Sequence, residues 1–459
     1  MKQNIYFIGA GGIGMAALER YFLARGCRVA GYDRTPSDLT HELEAEGVHI
    51  DYNDDPSLIP DYCRDPEQTL VVYTAAMPAD HPVLRWFLDN GFEVIKRAKA
   101  LGIVTEHSKG LCFAGTHGKT TTSSMAAHIL HQSGIGCNAF LGGILRNYGT
   151  NFLLSDTSPY SVIEADEFDR SFHQLTPWVA VITSTDPDHL DIYGTEEAYL
   201  ESFAHFTELI RPDGALIVHT GLKLVPRPQA SVRVYTYSRH EGDFHAQNIR
   251  KADGDITFDL VTPWEVIPDI RLGVPVDINI DNAIAAMAAC RMTEVTADAM
   301  RDAIATFQGP KRRFEFWVKE PGEHGHVMID DYAHHPDELR ASITSVRDLY
   351  PGRRLGVVFQ PHLYTRTRDF APEFAEVLSL ADEVYLLPIY PARELPIPGV
   401  TSEIILNRLT CAKKAIIQRE KLVESIKSLN FDVLLTVGAG DIDRLLPDIR
   451  QQLVAPSKF

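Results

Sequence analysis

Cysteine is scarce: six residues in 459, none in a C-x-x-C pair, which leaves no basis for a disulfide framework or a zinc site. Cys27, Cys63, Cys112, Cys137, Cys290 and Cys411 are scattered, with Cys112 in a strand pattern and Cys290 in a helical one, as expected of reduced structural thiols in a cytoplasmic protein. No apolar run approaches the roughly 20 residues of a membrane span. The N-terminal apolar stretch breaks at glycines after a few residues, unlike a secretion signal. Basic blocks and arginine-rich stripes are missing, and the formal net charge is −18, which argues against nucleic-acid and membrane-surface partners. Low-complexity segments and repeats of solenoid period are missing as well. What remains is the composition of an ordinary globular chain, 45% hydrophobic and 23% charged, long enough for about two to four domains. The acidity sets one condition: a nucleotide ligand meets a repelling field, so a divalent cation and a few local Lys or Arg must reverse it at the site.

The stretch Gly115-Thr116-His117-Gly118-Lys119-Thr120-Thr121-Thr122 follows the apolar run Gly110–Ala114 and precedes a segment of helical spacing, Ser123–Gln132. Strand, glycine turn, Lys-Thr and helix is the layout of a phosphate-binding loop. Backbone N–H groups and the helix N-terminus face the anion, the Lys adds a point charge, and a Thr hydroxyl suits Mg²⁺. The spacing departs from G-x-x-x-x-G-K-[ST], because Phe113 stands where the first glycine belongs. Two acidic clusters follow apolar runs, Glu164–Asp169 after Ser161–Ile163 and Asp186–Asp191 after Val179–Ile182. Ligands of open α/β sheets lie outside the carboxyl ends of the strands, so both clusters are placed for a triphosphate and its metal. Hard oxygen donors there suit Mg²⁺, with a His ligand less usual.

A second glycine turn lies at the N-terminus. A strand over Asn4–Ile8 runs into Gly9-Ala10-Gly11-Gly12-Ile13-Gly14, a helix to Ala24, and a strand Arg28–Tyr32 ending at Asp33. Alone this G-x-G-x-x-G predicts NAD; the glycines establish only that a pyrophosphate can approach the helix. Arg97 and Lys99, after a short strand at Glu93–Ile95, are candidate phosphate contacts. Residues 213–262 carry short β patterns that read as a meander, and helices are expected over 279–292 and 296–307. The C-terminal third is again α/β. Its strand ends carry Asp330–Pro336, Gln360–Arg368, Pro388–Pro391 and Gly438–Ile442, which suggests one ligand face. Two phosphate-binding turns in three nucleotide-type domains imply two phosphorylated ligands, one more than a simple dehydrogenase needs.

Across nearly the whole chain these residues resemble the Mur ligases of peptidoglycan synthesis. The carrying motifs are Gly9–Met15, Ala114–Thr122, Glu164–Glu167, Asp186–Asp191, Arg312–Phe314, Asp330–Pro336, Phe359–Asp369, Tyr390–Glu394 and Gly438–Ile442. The resemblance implies three α/β domains: residues 1–107, Rossmann-like and UDP-sugar-binding; 108–312, a P-loop ATPase; and 313–459, Rossmann-like and amino-acid-binding. It implies an ATP- and Mg²⁺-dependent ligase joining L-alanine to UDP-N-acetylmuramate through an acyl phosphate, as a monomer or weak homodimer. Carried over residue by residue, ATP falls to Gly115, Thr116, His117, Gly118, Lys119, Thr120, Thr121, Asn282, Arg313 and Asp331. The UDP-sugar falls to Gly11, Gly12, Ile13, Gly14, Asp33, Arg97 and His117. L-alanine falls to His334, His362 and Arg366, and Mg²⁺ to Thr120, Glu164 and His189. The catalytic set would be Lys119, Glu164, His189, Arg313 and Asp331. Sibling ligases carry a modified lysine after the metal-binding His; Glu201–Phe206 has no Lys, as in the L-alanine-adding branch. Two positions depart from the family: Ile278 replaces a His before Asn279, and Leu363 replaces an Arg. Alternatives are another Mur-type ligase and a non-enzymatic nucleotide-gated binding protein.

Overall fold

In the computed structural model, residues 2–74, 77–252, 254–320, 325–392 and 394–454 are described. Arg393 of the Tyr390–Glu394 motif lies outside them. The chain forms three sheets, each a run of mainly parallel strands with helices between. The first holds β1 (Asn4–Ile8), β2 (Arg28–Tyr32), β3 (His49–Asp51), β4 (Thr69–Tyr73) and β5 (Glu93–Lys96), in the order β3-β2-β1-β4-β5, all parallel. Its connecting helices are α1 (Ile13–Ala24), α2 (Asp38–Glu46), α3 (Pro82–Asp89) and α4 (Arg97–Glu106). Every residue of β1 is buried, the pattern of a central parallel strand covered on both faces. Helix α2 starts with a capping box between Ser37 and Thr40 and stops at Gly47, whose φ of 105° only glycine adopts without strain.

The second sheet has ten strands: β6 (Lys109–Ala114), β7 (Asn138–Leu145), β8 (Thr150–Leu153), β9 (Tyr160–Glu164), β10 (Val179–Ile182), β11 (Ala215–His219), β12 (Arg233–Ser238), β13 (Phe244–Ala252), β14 (Asp255–Val261) and β15 (Val266–Arg271). Their order is β15-β14-β13-β12-β11-β10-β6-β9-β7-β8. The helices here are α5 (Lys119–Gln132), α6 (Leu190–Tyr193), α7 (Glu196–Glu208), α8 (Ile278–Cys290) and α9 (Ala297–Thr306). The expected meander is corrected: β10, β11 and β12 pair in parallel. Alternation marks a strand but not its direction, and the links between these strands are long enough for the crossover a parallel pair needs. The antiparallel hairpin β7–β8 has no counterpart in the sequence reading, because Gly142 and Gly143 interrupt its apolar pattern.

The third sheet comprises β16 (Glu315–Lys319), β17 (Val327–Asp331), β18 (Leu355–Phe359), β19 (Glu383–Leu386), β20 (Lys413–Ile416) and β21 (Val433–Val437), in the order β16-β17-β21-β18-β19-β20. Only β16 runs antiparallel to its neighbour. Helices α10 (Pro336–Leu349) and α11 (Tyr364–Asp369) follow β17 and β18.

By contacts the chain divides into two compact units. One is Met1–Gln247, Phe258–Ile270 and Ile280–Phe307; the other is Asn248–Thr257, Arg271–Asn279 and Gln308–Phe459. In the first, a continuous apolar core carries α1 onto the second sheet, where Tyr21 meets Phe140 edge-on at 5.6 Å. In the second, Met328, Val358, Tyr385 and Leu434 form the core of the third sheet. In each sheet the motif-bearing strand lies between two parallel neighbours: β1 between β2 and β4, β6 between β10 and β9, β21 between β17 and β18. At such a switch point the loops diverge and leave a crevice at the carboxyl edge.

Candidate active site

Strand β6 runs directly into the glycine turn, and α5 begins at Lys119. Gly118 is the N-cap, with φ 82° and no side-chain cap, so the first N–H groups of α5 are left for an anion. A Cβ at Gly118 would stand 2.9 Å from the Asn282 side-chain oxygen, which holds α8 against the loop. That oxygen also accepts from the Thr122 hydroxyl at 3.2 Å. Thr121 is partly exposed. The end of β10 braces the turn. Thr183 donates to the His117 carbonyl at 2.5 Å, and the His117 N–H donates to Ser184 Oγ at 2.8 Å. Thr116 Oγ1 donates to the Asp186 carbonyl at 2.7 Å and lies 2.9 Å from the Tyr199 hydroxyl. The His117 ring is exposed, 3.9 Å from Asp186. Sequence reasoning missed Thr183, Ser184 and Tyr199; the polar Thr-Ser-Thr immediately after an apolar strand was the available signal.

The first acidic cluster divides its work between two glutamates. Glu164, the last residue of β9, accepts from the Thr120 hydroxyl at 3.0 Å and from the Gly142 N–H at 3.0 Å. Glu167 is 1% exposed, and its carboxylate lies 2.8 Å from Lys119 Nζ. Burial raises its proton affinity, an effect the Lys119 charge opposes but does not cancel. Lys119 also donates to the Gly115 carbonyl at 2.7 Å. Beyond Glu167, Asp169 and Arg170 have φ of 52° and 55°. Left-handed backbone at non-glycine residues costs about 1–2 kcal/mol each, strain of the kind found at functional sites.

The Thr120 hydroxyl and the Glu164 carboxylate are hard oxygen donors beside a helix N-terminus, a donor set that fits Mg²⁺ shared with phosphate oxygens. His189, expected with them, has φ 52° and packs edge-on against Phe168 at 5.1 Å, with Asp188 at 3.7 Å. Among the described residues it makes no hydrogen bond to Thr120 or Glu164, and no cluster of three His, Cys, Asp or Glu has metal-ligand geometry.

A cavity of about 120 Å³ joins this region to the first glycine turn, lined by Gly14, Arg97, Gly142, Asn151, Glu164 and Asp166 among others. Arg97 opens α4 and lies so close to the turn that a Cβ at Gly14 would meet its guanidinium nitrogen at 2.7 Å. Gly12 and Ile13 face solvent. Asp33 is turned inward, accepting from the Gly11 N–H at 2.7 Å and the Thr35 N–H at 3.2 Å. Its carboxylate thus shapes the turn, whereas in a dinucleotide fold it would hold a ribose.

In the second unit, Arg312 pairs with the fully buried Asp330 at 3.3 Å and donates to the carbonyls of Gly438 at 2.5 Å and Gly440 at 3.0 Å. Thr436 donates to Asp330 at 2.7 Å. Burial outweighs these partners and pushes the Asp330 carboxyl up to about 7. Arg313 is exposed, and Asp331 bonds to Ser342; burial raises Asp331 too, against Ser342 and the Arg313 charge. Gln360 clasps the Gly438–Ile442 loop, donating to Asp441 at 2.9 Å and accepting from the Ile442 N–H at 2.9 Å.

The three residues expected at L-alanine are brought together. Arg366 lies 3.4 Å from His362 Nδ1, the His362 and His334 rings are 6.1 Å apart, and Tyr390 stacks on His362 at 5.9 Å. Burial, then Arg366 and His334, lower the His362 proton affinity, so its ring is neutral at pH 7. Glu394 holds the first turn of α11 through Thr365. Leu363, the N-cap of α11, has φ 69°, a strained backbone position between His362 and the helix that carries Arg366.

Three family models match consecutive segments: the Mur ligase family catalytic domain over residues 4–109, the Mur ligase middle domain over 113–290, and the Mur ligase glutamate ligase domain over 312–440. The UDP-N-acetylmuramate–L-alanine ligase of Parabacteroides distasonis is 58% identical over 450 residues, covering 98% of this chain and 97% of that protein. Its namesake from Cytophaga hutchinsonii is 45% identical over 451 residues, 98% of this chain and 96% of that one. Among solved structures, the UDP-N-acetylmuramate–alanine ligase of Thermotoga maritima matches with a TM-score of 0.75 at 25% identity over 98% of each chain. No helix among the described residues is long and apolar enough to cross a membrane.

Proposed function

The chain belongs to the Mur ligase family, and on that premise we infer that it joins L-alanine to the lactyl carboxylate of UDP-N-acetylmuramate at the expense of ATP, in the making of peptidoglycan precursors. The single observation that carries this reading is a relative of that activity matching 58% of positions over 98% of the chain. The site geometry supports it with a phosphate loop, a second glycine turn sharing a cavity with it, and Arg366 set beside two histidines for an amino acid.

A carboxylate does not condense with an amine in water at a useful rate. The lactyl carboxylate oxygen attacks the γ-phosphorus of ATP, ADP leaves, and an acyl phosphate forms. The L-alanine nitrogen then attacks the acyl carbon, and phosphate leaves from a tetrahedral oxyanion. Backbone N–H groups at Gly118 and Lys119 orient the phosphates, and the Lys119 charge spreads over the transferring group. Thr120 and Glu164 would hold Mg²⁺, with His189 as a further proposed ligand; the ion supplies Lewis-acid neutralisation of phosphate charge. Asn282 faces the nucleotide base, and Arg313 and Asp331 are nucleotide contacts from the C-terminal domain. Gly11, Gly12, Ile13, Gly14, Asp33, Arg97 and His117 hold the UDP-sugar. Arg366 takes the L-alanine carboxylate as a fork. His362, neutral at pH 7, accepts the ammonium proton so that the nitrogen can attack.

We assign the UDP-sugar domain to residues 1–107, the ATP domain to 108–312 and the amino-acid domain to 313–459, and place the reaction in the cytoplasm. Labelling the lactyl carboxylate with ¹⁸O tests the route: one label should appear in the released phosphate. Phosphate free of label would exclude the acyl phosphate.

A further inference from the structure

The phosphate loop has a feature that phosphate binding alone does not require. Lys119 Nζ donates to the Gly115 carbonyl at 2.7 Å and to Glu167 at 2.8 Å, and the Thr116 carbonyl lies at 3.5 Å. An ammonium has three protons, so its donors are spent on the protein itself. We propose that Glu167 is a positioning residue that holds Lys119 in the place of a nucleotide phosphate, so that Mg-ATP binds against an ion pair already formed. The inference rests on the ATP-dependent reading above.

Three observations carry it. First, the carboxylate cannot trade Lys119 for water: Glu167 is 1% exposed, and among the described residues Oε2 accepts no hydrogen bond although it lies 2.8 Å from Nζ. Second, its backbone is fixed. The Tyr193 hydroxyl donates to the Glu167 carbonyl at 2.5 Å, the Arg170 N–H donates to the same oxygen at 2.9 Å, and Phe168 N–H is held by Asp166 at 3.0 Å. The left-handed Asp169 and Arg170 complete a rigid turn that aims Glu167 inward. Third, the other nearby carboxylate is committed elsewhere, because Glu164 is bonded to Thr120 and Gly142. The site therefore divides two acids, one beside the Thr hydroxyl and one on the lysine.

The consequence is electrostatic. A phosphate at the N-terminus of α5 must share Lys119 with Glu167 or draw it away, so the hold of the Glu167 charge on Lys119 opposes the ligand. Glutamine at 167 keeps the shape and one acceptor while removing that charge.

The test is calorimetric titration of the full-length protein with Mg-ADP. Glu167→Gln should bind about ten-fold tighter than wild type, equivalent to about 1.4 kcal/mol. In a Lys119→Met background the same change should have no effect, because the residue acts through the lysine. A purely structural role would not produce that coupling. Should Glu167→Gln fail to fold, Glu167→Asp carries the test: its carboxylate sits one methylene further from Nζ and should tighten binding by a smaller factor. Unchanged or weaker binding in the folded variants, or equal tightening without Lys119, overturns the inference. Wild-type protein that binds no Mg-ADP overturns the ATP-dependent reading itself, and this inference with it.

Discussion

At the phosphate loop the cation is already engaged: Lys119 lies against the buried Glu167 carboxylate, and Glu164 occupies the Thr120 hydroxyl. At the carboxyl edge of the third sheet the balance is reversed. His334, His362 and Arg366 stand together, and among the described residues Arg366 makes no ion pair. On the proposed assignment the first site takes a multiply charged ligand and carries an internal counter-charge beside its lysine. The second takes one carboxylate and leaves its cation ready. Opposite prepositioning fits ligands of opposite difficulty: a triphosphate brings enough charge to displace a protein carboxylate, whereas a single amino-acid carboxylate does not.

The largest expected effect breaks the first site. Lys119→Ala should lower kcat/KM for ATP by about 10³-fold, the scale for removing a donor aimed at developing charge; a steady-state phosphate-release assay reads it. The next tests the second site alone. Arg366→Met should raise KM for L-alanine by about 10–100-fold, the value of a charge-assisted hydrogen bond, while Mg-ADP affinity stays unchanged. Arg366→Lys should recover little, because a point charge does not reproduce the fork.

The two units should also differ in pH response, with opposite signs. In the first, His128 is fully buried between Tyr148, Ala303 and Thr306, and burial pushes it down to about 4. Between its unfolded value near 6.5 and that folded value, only the unfolded state takes the proton. Stability is therefore full above pH 6.5 and lost as pH falls towards 4, by roughly 3 kcal/mol in all. In the second unit, Asp330 is pushed up to about 7, so between 3.8 and 7 only the folded state holds the proton. That contribution is full below pH 3.8 and lost as pH rises through 7. Denaturant unfolding across this range should show the acid-side loss removed by His128→Leu and the alkaline-side loss removed by Asp330→Asn. Identical pH profiles for wild type and both variants would contradict the assignment. The smallest effect is at the first glycine turn. Gly14→Ala forces the flexible Arg97 guanidinium aside and should raise KM for the UDP-sugar by about ten-fold or less, the scale of one hydrogen bond.

What the sequence disclosed follows the same division. Strands β1 and β2 and helices α1 and α8 are legible because apolar period and glycine punctuation agree there. The phosphate loop is legible because one backbone segment supplies most of its donors, so adjacent letters specify the site. The parallel pairing of β11 with β12 is not, since strand direction is a property of the connection. Nor are the braces Thr183, Ser184 and Tyr199, which reach the loop from 66 to 83 residues away in the chain. Glu167 was visible as a letter of an acidic motif, but its partner was not: only the fold brings it to Lys119. Asp33 has a second role that motif reading does not disclose, for the acid that predicts a ribose contact also accepts from the N–H of its own glycine turn.

The most direct measurement is phosphate release from Mg-ATP with UDP-N-acetylmuramate, with and without L-alanine, beside a panel of other amino acids. The account predicts release only when the UDP-sugar and L-alanine are both present. Release driven by a different amino acid, or no release with any of them, would contradict it.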